Sequence, residues 1–560
     1  MIKRPAGRAS LEWIGTAIAL AWALWYWLRY FHRSTNLLDE GSTAAQALRI
    51  LNGDLIYRDF FTVVTPGSYY TVAWLFQLFG EHLMVLRWAV LATGMGIAIV
   101  TLAIARRAVA WPFAAAAALM VTVWGWFLGA PNYYSLEAAL FSLVALACYT
   151  GRQAVGLSGR QVVGPTNTGV IAAGIATGLT AMVKQNVGAY TFAGLLAAIW
   201  IARVFEVDTE WRARVRASAQ FILGTAIVVV PTIIWLIASG AGPYLYESWV
   251  YYPLSRYPER FSRPFPDFFP LVLDDSFDMW TKLVIYLPVV VYPLVVVRLA
   301  VLALRVRRTR EAEALGEARV VLATAAVGVL TLLQAFPRAD VTHILFGMPP
   351  TFILFAYLCD CAWRALRLLP GPRHAIAAMM LVVTLAPLAV LIHRGYQRTH
   401  WEYQNYFVAL RTPRATGIVT GHLEAQRIDT VTGYITSHTS ADDFVFVVPW
   451  ASGFNFLTDR ANPTRIDFML FEDPESYPCL LARLDERPPK YVIYGYTWDV
   501  DDKRFRDYAA PIDRYIRSRY EIEFTTDGYE IWRRSTTAPQ RTELYPAACQ
   551  PRRFRLRDLF

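Results

Sequence analysis

Three stretches of this sequence carry side chains able to take a proton or hold an anion. The first is His32–Gly41 (HRSTNLLDEG), in which Asp39-Glu40 follows directly on a long apolar run and opens a helical pattern to Leu51. A helix N-terminus stabilises carboxylates, which favours an ionised Asp39 able to accept a proton from a hydroxyl. The plainer alternative is that Asp39 only caps the helix. The second stretch is Lys184-Gln185-Asn186, between two apolar runs and without an adjacent acid. Such a lysine either snorkels to an interface or, with its amide neighbours, holds an anion such as a lipid phosphate. The third is Phe336–His343 (FPRADVTH). There Arg338 either bridges to Asp340 or grips a phosphate with its planar fork, with His343 beside it. Nearby candidates to line a binding site are Tyr57, Arg58, Asp59, Tyr69, Tyr70, Asn132, Tyr133 and Glu137. A carboxylate base facing cations suits an inverting displacement with a phosphate leaving group. The base acts on the acceptor oxygen, and positive charge sits where negative charge grows in the transition state.

The elements that must position these groups lie in a membrane. Of 560 residues, 55% are hydrophobic and only 18% charged, against about 25% charged in soluble domains. The apolar residues cluster in runs near the length a bilayer core requires. Eleven spans are expected, at about 11–31, 83–104, 111–129, 134–150, 168–184, 188–204, 219–239, 281–303, 320–336, 343–359 and 375–393. The first has no convincing cleavage site and is taken as an uncleaved span rather than a signal peptide. Residues 60–80 are apolar, but Pro66-Gly67 cuts the run too short to cross. An interfacial helix in the first external loop is expected there, with an ordinary twelfth span as the alternative. Alternate loops hold the arginines: Arg106 and Arg107; Arg203, Arg212, Arg214 and Arg216; Arg305 to Arg310; Arg364 to Arg373. By the positive-inside rule the N-terminus is cytoplasmic, and the three chemical stretches and the C-terminal segment lie outside. The net charge of +10 is therefore orientation signal and headgroup contact, and nucleic-acid binding is not expected.

After residue 394 the composition turns polar, which divides the chain into a membrane domain (1–393) and a soluble extracytoplasmic domain (394–560). Short strand-like runs at 444–448, 491–494 and 520–524 alternate with helical patterns at 476–486 and 503–518, as in a small α/β domain. A hairpin is expected around Asp527-Gly528. The acid clusters Asp442-Asp443 and Asp499-Asp501-Asp502 are expected to form turns and caps. Five scattered cysteines suggest neither a zinc module nor a disulfide framework.

These features resemble GT-C superfamily glycosyltransferases, especially the bacterial relatives of protein O-mannosyltransferases and of the aminoarabinose transferase that modifies lipid A. The resemblance rests on several elements. They are Asp39-Glu40, Gly53-x-x-x-Tyr57-Arg58-Asp59-Phe60, Pro66-Gly67-x-Tyr69-Tyr70, Gly80 before Arg87, Lys184-Gln185-Asn186, Pro337-Arg338-x-Asp340-x-x-His343 and the tail with Arg460–Arg465. It implies a polyprenyl-phosphate-linked sugar donor, an unspecified acceptor and inversion at the anomeric carbon. Carried over, Asp39 is the general base, Glu40 its neighbour in the acceptor site, and Lys184, Arg338 and His343 the groups at the donor phosphate. Gln185, Asn186, Asp340 and the tyrosines would line the substrate. Two departures stand out. The second external loop holds no acid before Glu137, and no Asp-x-Asp occurs in the first, so neither a metal nor another cofactor is expected. A transporter of lipid-linked sugars is the alternative. It is disfavoured because no internal repeat occurs and the polar groups gather on one face. A non-catalytic glycan-binding scaffold is a third reading.

Overall fold

The computed structural model describes residues 6–125, 133–151, 154–155, 161–162, 166–205, 211–269, 279–309, 311–497, 503–537 and 549. Helix α1 (Ala6–Tyr30) leads into α2 (Asp39–Leu51) and α3 (Gly67–Phe79), which precede the apolar helices α4 (Leu83–Ala105), α5 (Trp111–Trp124) and α6 (Tyr133–Tyr149). Helices α7 (Asn167–Val183), α8 (Gln185–Ile201) and α9 (Trp211–Ala238) continue the bundle. Met279–Thr309, Ala312–Ala335, Pro349–Leu366 and Arg373–Tyr403 close it. Each expected span falls on helix over its described residues, with 126–129 of the third lying outside them. Among the described residues, seven helices are long and apolar enough to cross a membrane, and α5, α6 and α7 are shorter apolar helices. Helix α3 has 13 residues, about 20 Å at the helical rise, short of a bilayer core of about 30 Å.

Two boundaries differ from expectation for identifiable reasons. The run at 343–359 is two helices, Val341–Phe346 and Pro349–Leu366, because Pro349 and Pro350 start a new helix instead of continuing the old one. The last helix continues through residue 394 to Tyr403. There Tyr26 shares a 2.6 Å hydrogen bond with Thr399, and Tyr30 one of 3.1 Å with His400, so α1 holds it beyond the apolar run.

Helix packing follows side-chain size. Helices α7 and α9 cross at Gly174 and Gly224, where an added Cβ would lie 2.2 Å from the carbonyl oxygen of Phe221 and 2.3 Å from that of Ile171. Small residues let membrane helices approach backbone to backbone. The outward face of α9 exposes Ile222, Leu223, Ile227, Val230 and Ile234, which suits hydrocarbon rather than water.

The tail is built on a four-stranded sheet in the order Val445–Val448, Tyr491–Gly495, Tyr529–Arg534, Tyr520–Thr526. The first pair is parallel and the others antiparallel, with Val445 opposite Tyr491 and Tyr491 opposite Arg533. Alternation sends Val445 and Val447 against Ile428, Val431 and Ile435, and Phe446 and Val448 toward Leu480, Leu484, Ile512 and Ile516. Helices thus cover both faces, and the expected hairpin turns at Asp527-Gly528. Asp443 accepts from the backbone N–H of Ser440 at 2.8 Å, as a turn residue should, while 499–502 lie outside the described residues. The cysteine expectation needs correction. Cys479 and Cys549 form a disulfide across 70 residues, a pairing that only the fold brings within reach. Cys148, Cys359 and Cys361 are free.

The tail is docked on the segment that follows α1. The N–H of Ser34 donates to Val419 at 2.8 Å, Gly453 N–H donates to Leu37 at 3.1 Å, and Gln46 Nε2 reaches Asp467 at 3.0 Å. Gly41 and Gly453 meet so closely that a Cβ on Gly41 would stand 2.6 Å from the Gly453 Cα. Gly453→Val is accordingly expected to destabilise this contact by about 1–3 kcal/mol. Thermal unfolding in detergent should show a lower midpoint, and limited proteolysis a more readily released tail.

Candidate active site

The turn between α1 and α2 is organised by two side chains. Asn36 Oδ1 accepts the backbone N–H groups of Leu38 at 3.0 Å and Asp39 at 2.8 Å, so Asn36 satisfies the helix start. The Asp39 carboxylate is not spent on capping. Its hydrogen bond comes from Asn36 Nδ2 at 3.1 Å, and it makes no ion pair among the described residues. Burial pushes its carboxyl above the ordinary carboxylate range, while the Asn36 bond and the charges of His343 and Arg338 pull the other way. Glu40 points elsewhere. It is buried and ion-paired with Arg87, whose Nη2 lies 2.5 Å from Oε2. Arg87 also donates to the carbonyls of Phe31, Arg33 and Ser34 at 3.0–3.2 Å. Glu40, expected beside Asp39 at the acceptor, is instead placed as a brace under the turn that presents Asp39.

The Arg338–His343 element lies within electrostatic reach of Asp39. Asp340 caps the helix Val341–Phe346 by accepting the His343 N–H at 3.0 Å. The same carboxylate takes Arg338 Nε at 2.8 Å and His343 Nδ1 at 2.7 Å. Burial alone would raise the Asp340 carboxyl, but the His343 hydrogen bonds and charge, with Arg338 behind them, hold it well below the ordinary range. Of the two readings open for Arg338, the intramolecular bridge is present. Its guanidinium still acts on Asp39 through space.

Lys184 joins the α7–α8 connection to this group. Its Nζ donates to Ser135 Oγ at 2.9 Å and lies 5.7 Å from the Tyr134 ring centroid and 5.8 Å from that of Phe346. It is 9% exposed and has no carboxylate partner among the described residues, although the Asp340 charge reaches it. Tyr134 and Tyr69 in turn lie within the field of Asp39. Gln185 Nε2 donates to Val63 at 2.6 Å, tying α8 to the loop before α3, and Asn186 Oδ1 is used by the Val187 N–H at 2.9 Å.

The remaining expected residues divide. Tyr57 adopts a left-handed backbone (φ 69°) and buries its ring, donating to Val64 at 2.9 Å. Tyr69 hydrogen-bonds Thr62 at 2.8 Å, and Tyr70 sits edge-on to Trp235. Tyr133 is buried. Glu137 accepts from Ser68 at 2.6 Å at the start of α3. Arg58 and Asp59 pair at 2.7 Å and line a separate cavity of about 840 Å³ against the tail. Asn132 lies outside the described residues. The structure therefore brings together Asp39, Arg338, Asp340, His343 and Lys184, and leaves Glu40, Tyr57, Arg58 and Asp59 away from them. Asn36 and Ser135 went unnoticed in the sequence, and Arg87 was singled out without a role. Only Asn36, three residues before an acidic helix start, carried a local signal.

The fold has known counterparts. Crystal structures of ArnT from Cupriavidus metallidurans superpose with TM-scores of 0.54 when bound to undecaprenyl phosphate and 0.55 in the apo state. The identities are 12% and 15%, over 96% and 94% of this chain and 99% and 98% of those. The archaeal oligosaccharyltransferase AglB from Archaeoglobus fulgidus, in complex with an inhibitory peptide and a dolichol-phosphate, superposes at 0.53 and 11% identity over 93% of this chain and 74% of that one. The chain shares the fold of these proteins. Its long apolar helices are those of an integral membrane protein. No family model matches the sequence, and a comparison with curated proteins gives no match.

The division of labour between Glu40 and Asp39 can be tested on stability alone. Removing one partner of a buried ion pair costs about 3–5 kcal/mol. Glu40→Ala should therefore lower the thermal midpoint markedly. Asp39→Asn, which breaks no ion pair, should unfold near the wild-type temperature.

Proposed function

We propose that this chain is an inverting glycosyltransferase that moves a sugar from a polyprenyl-phosphate-linked donor to an acceptor hydroxyl. The half-buried Asp39 takes the acceptor proton as the acceptor oxygen bonds to the anomeric carbon. The bond from that carbon to the phosphate oxygen breaks on the opposite face, and the polyprenyl phosphate departs with the electron pair. Lys184, with Arg338 and His343 behind Asp340, compensates the negative charge that grows there.

The observation that carries this reading is Lys184, a buried ammonium without a carboxylate partner among the described residues, in the same electrostatic neighbourhood as a carboxylate that makes no ion pair among them. Buried charges are ordinarily paired, so an anionic ligand is the natural complement. The start of α8 directly after Lys184 adds partial positive charge at the same place. Support also comes from the fold counterparts, which bind undecaprenyl phosphate or dolichol-phosphate. Proposed with it are a cytoplasmic N-terminus and a plasma (inner) membrane location. The site and tail would lie outside, and the chain would divide into a membrane domain (1–393) and an extracytoplasmic domain (394–560). The arginine-rich loops support that orientation, and so does the Cys479–Cys549 disulfide, since such bonds persist outside the reducing cytosol.

Asp39→Asn is expected to lower kcat by about 10²–10⁴ with a synthetic polyprenyl-phosphate sugar, while binding of polyprenyl phosphate persists. Unchanged turnover would remove the base from Asp39. Because the Asp39 pKa is raised, the carboxyl is protonated and inactive at low pH. Activity should therefore rise with pH through an acid limb lying above the ordinary value near about 4, a limb absent from Asp39→Asn. Lys184→Met should instead weaken polyprenyl-phosphate binding, read directly by calorimetry. Turnover by purified protein without an ion gradient would exclude transport as the primary activity.

A further inference from the structure

One cavity is lined by residues other than Asp39 and is not used by the mechanism above. It holds about 840 Å³, within the range of small-molecule and cofactor sites. Its walls are the C-terminal half of α2, the Arg58-Asp59 loop, the helical segment 242–256 and the tail. Donors and acceptors alternate around it. Arg49 pairs with Asp54 at 2.7 Å, Arg58 with Asp59 at 2.7 Å, and Arg465 faces Glu247 at 3.7 Å, beyond hydrogen-bond reach.

Three buried polar atoms on this wall have no hydrogen-bond partner among the described residues: Arg465 Nε, Glu247 Oε2 and Asn455 Oδ1. Asn455 is only 5% exposed, and its Nδ2 is already spent on Val445 and Arg460. Desolvation, reinforced by Glu247 and Asp473 and opposed by Arg465, pushes the Glu472 carboxyl up to about 8, so near neutrality it can donate as well as accept. Tyr244 and Tyr251 add half-buried ring surface. Guanidinium–carboxylate pairs, unpaired acceptors and aromatic rings together match a ligand whose every hydroxyl both donates and accepts and whose ring faces are apolar. The interleaved charges of both signs argue against a polyanion.

We propose that this cavity binds the carbohydrate body of an extended oligosaccharide acceptor, an inference that rests on the glycosyltransferase reading of Asp39. Helix α2 sets the scale. It starts at Asp39, and its residues Ala45, Leu48 and Arg49 line the cavity, about 10–15 Å along the axis from the base. A single sugar cannot occupy both places, whereas an oligosaccharide can present one hydroxyl to Asp39 and leave its body against Glu247 and Tyr251.

The test is direct binding of the full-length protein in lipid nanodiscs to a panel of defined, donor-free oligosaccharides, from monosaccharides to hexasaccharides. A matched panel of peptides serves as competitor. Trisaccharides or longer should bind, and Glu247→Gln and Tyr251→Ala should each weaken them about tenfold or more. Glu247→Gln keeps the shape of the side chain, so its effect reports the cavity even if Tyr251→Ala proves unstable. The proposal is overturned if no oligosaccharide binds, if peptides bind in preference, or if Glu247→Gln leaves oligosaccharide affinity unchanged. Oligosaccharide binding with unchanged turnover in Asp39→Asn would sink the catalytic assignment and leave the cavity's ligand standing.

Discussion

The ion pair between Glu40 and Arg87 is the constraint on which the rest of the site depends. Arg87 sits at 0% exposure on α4, and its guanidinium serves both the Glu40 carboxylate and the three carbonyls of the preceding turn. A charge so deeply buried is tolerable only with full compensation, and the compensation comes from a strand of backbone that would otherwise be irregular. The entry into α2 is thereby locked to the membrane bundle. Asp39, one residue earlier in the chain than Glu40, inherits a fixed position without spending its own carboxylate on it.

Charge is distributed unequally across the site. Asp340 is over-supplied, with Arg338, His343 and the His343 N–H all directed at it, and its carboxyl stays ionised. Asp39 and Lys184 are under-supplied: each is desolvated, and among the described residues each has a single neutral hydrogen-bond partner, Asn36 and Ser135 respectively. The saturated group organises, and the unsaturated groups remain available to a ligand. Tail and bundle meet around the same turn through Gly41 and Gly453. The tail is thereby a wall of both the site region and the neighbouring cavity rather than an appendage.

Much of the architecture was legible in the sequence because membrane helices declare themselves by local composition. Lipid-facing runs such as 219–239 need no partner to be recognised, and Pro66-Gly67 announced a short helix by chain geometry alone. The errors fell where a long-range contact overrode local composition. The polar stretch 394–403 is helical because α1 supplies Tyr26 and Tyr30 as partners. Cys479 and Cys549 looked unrelated because nothing local links them. The same holds at the site. Asp39, Lys184, Arg338 and His343 were noticed as charges at apolar borders, but the sequence assigned Glu40 to the same place, and only Arg87 on another helix shows where that carboxylate goes.

By itself, then, the sequence determined the class of molecule, the helical runs, the sheet-forming segments of the tail and a short roster of ionisable groups at the ends of apolar runs. Hydrophobicity and helix-breaking residues act over a few neighbours and can be read one segment at a time. Tertiary structure alone decided which charges are spent on each other and which are left without partners. Pairing is a matter of a few ångströms between residues far apart in the chain, and no local pattern records that Arg87 closes on Glu40 while Lys184 closes on no acid among the described residues.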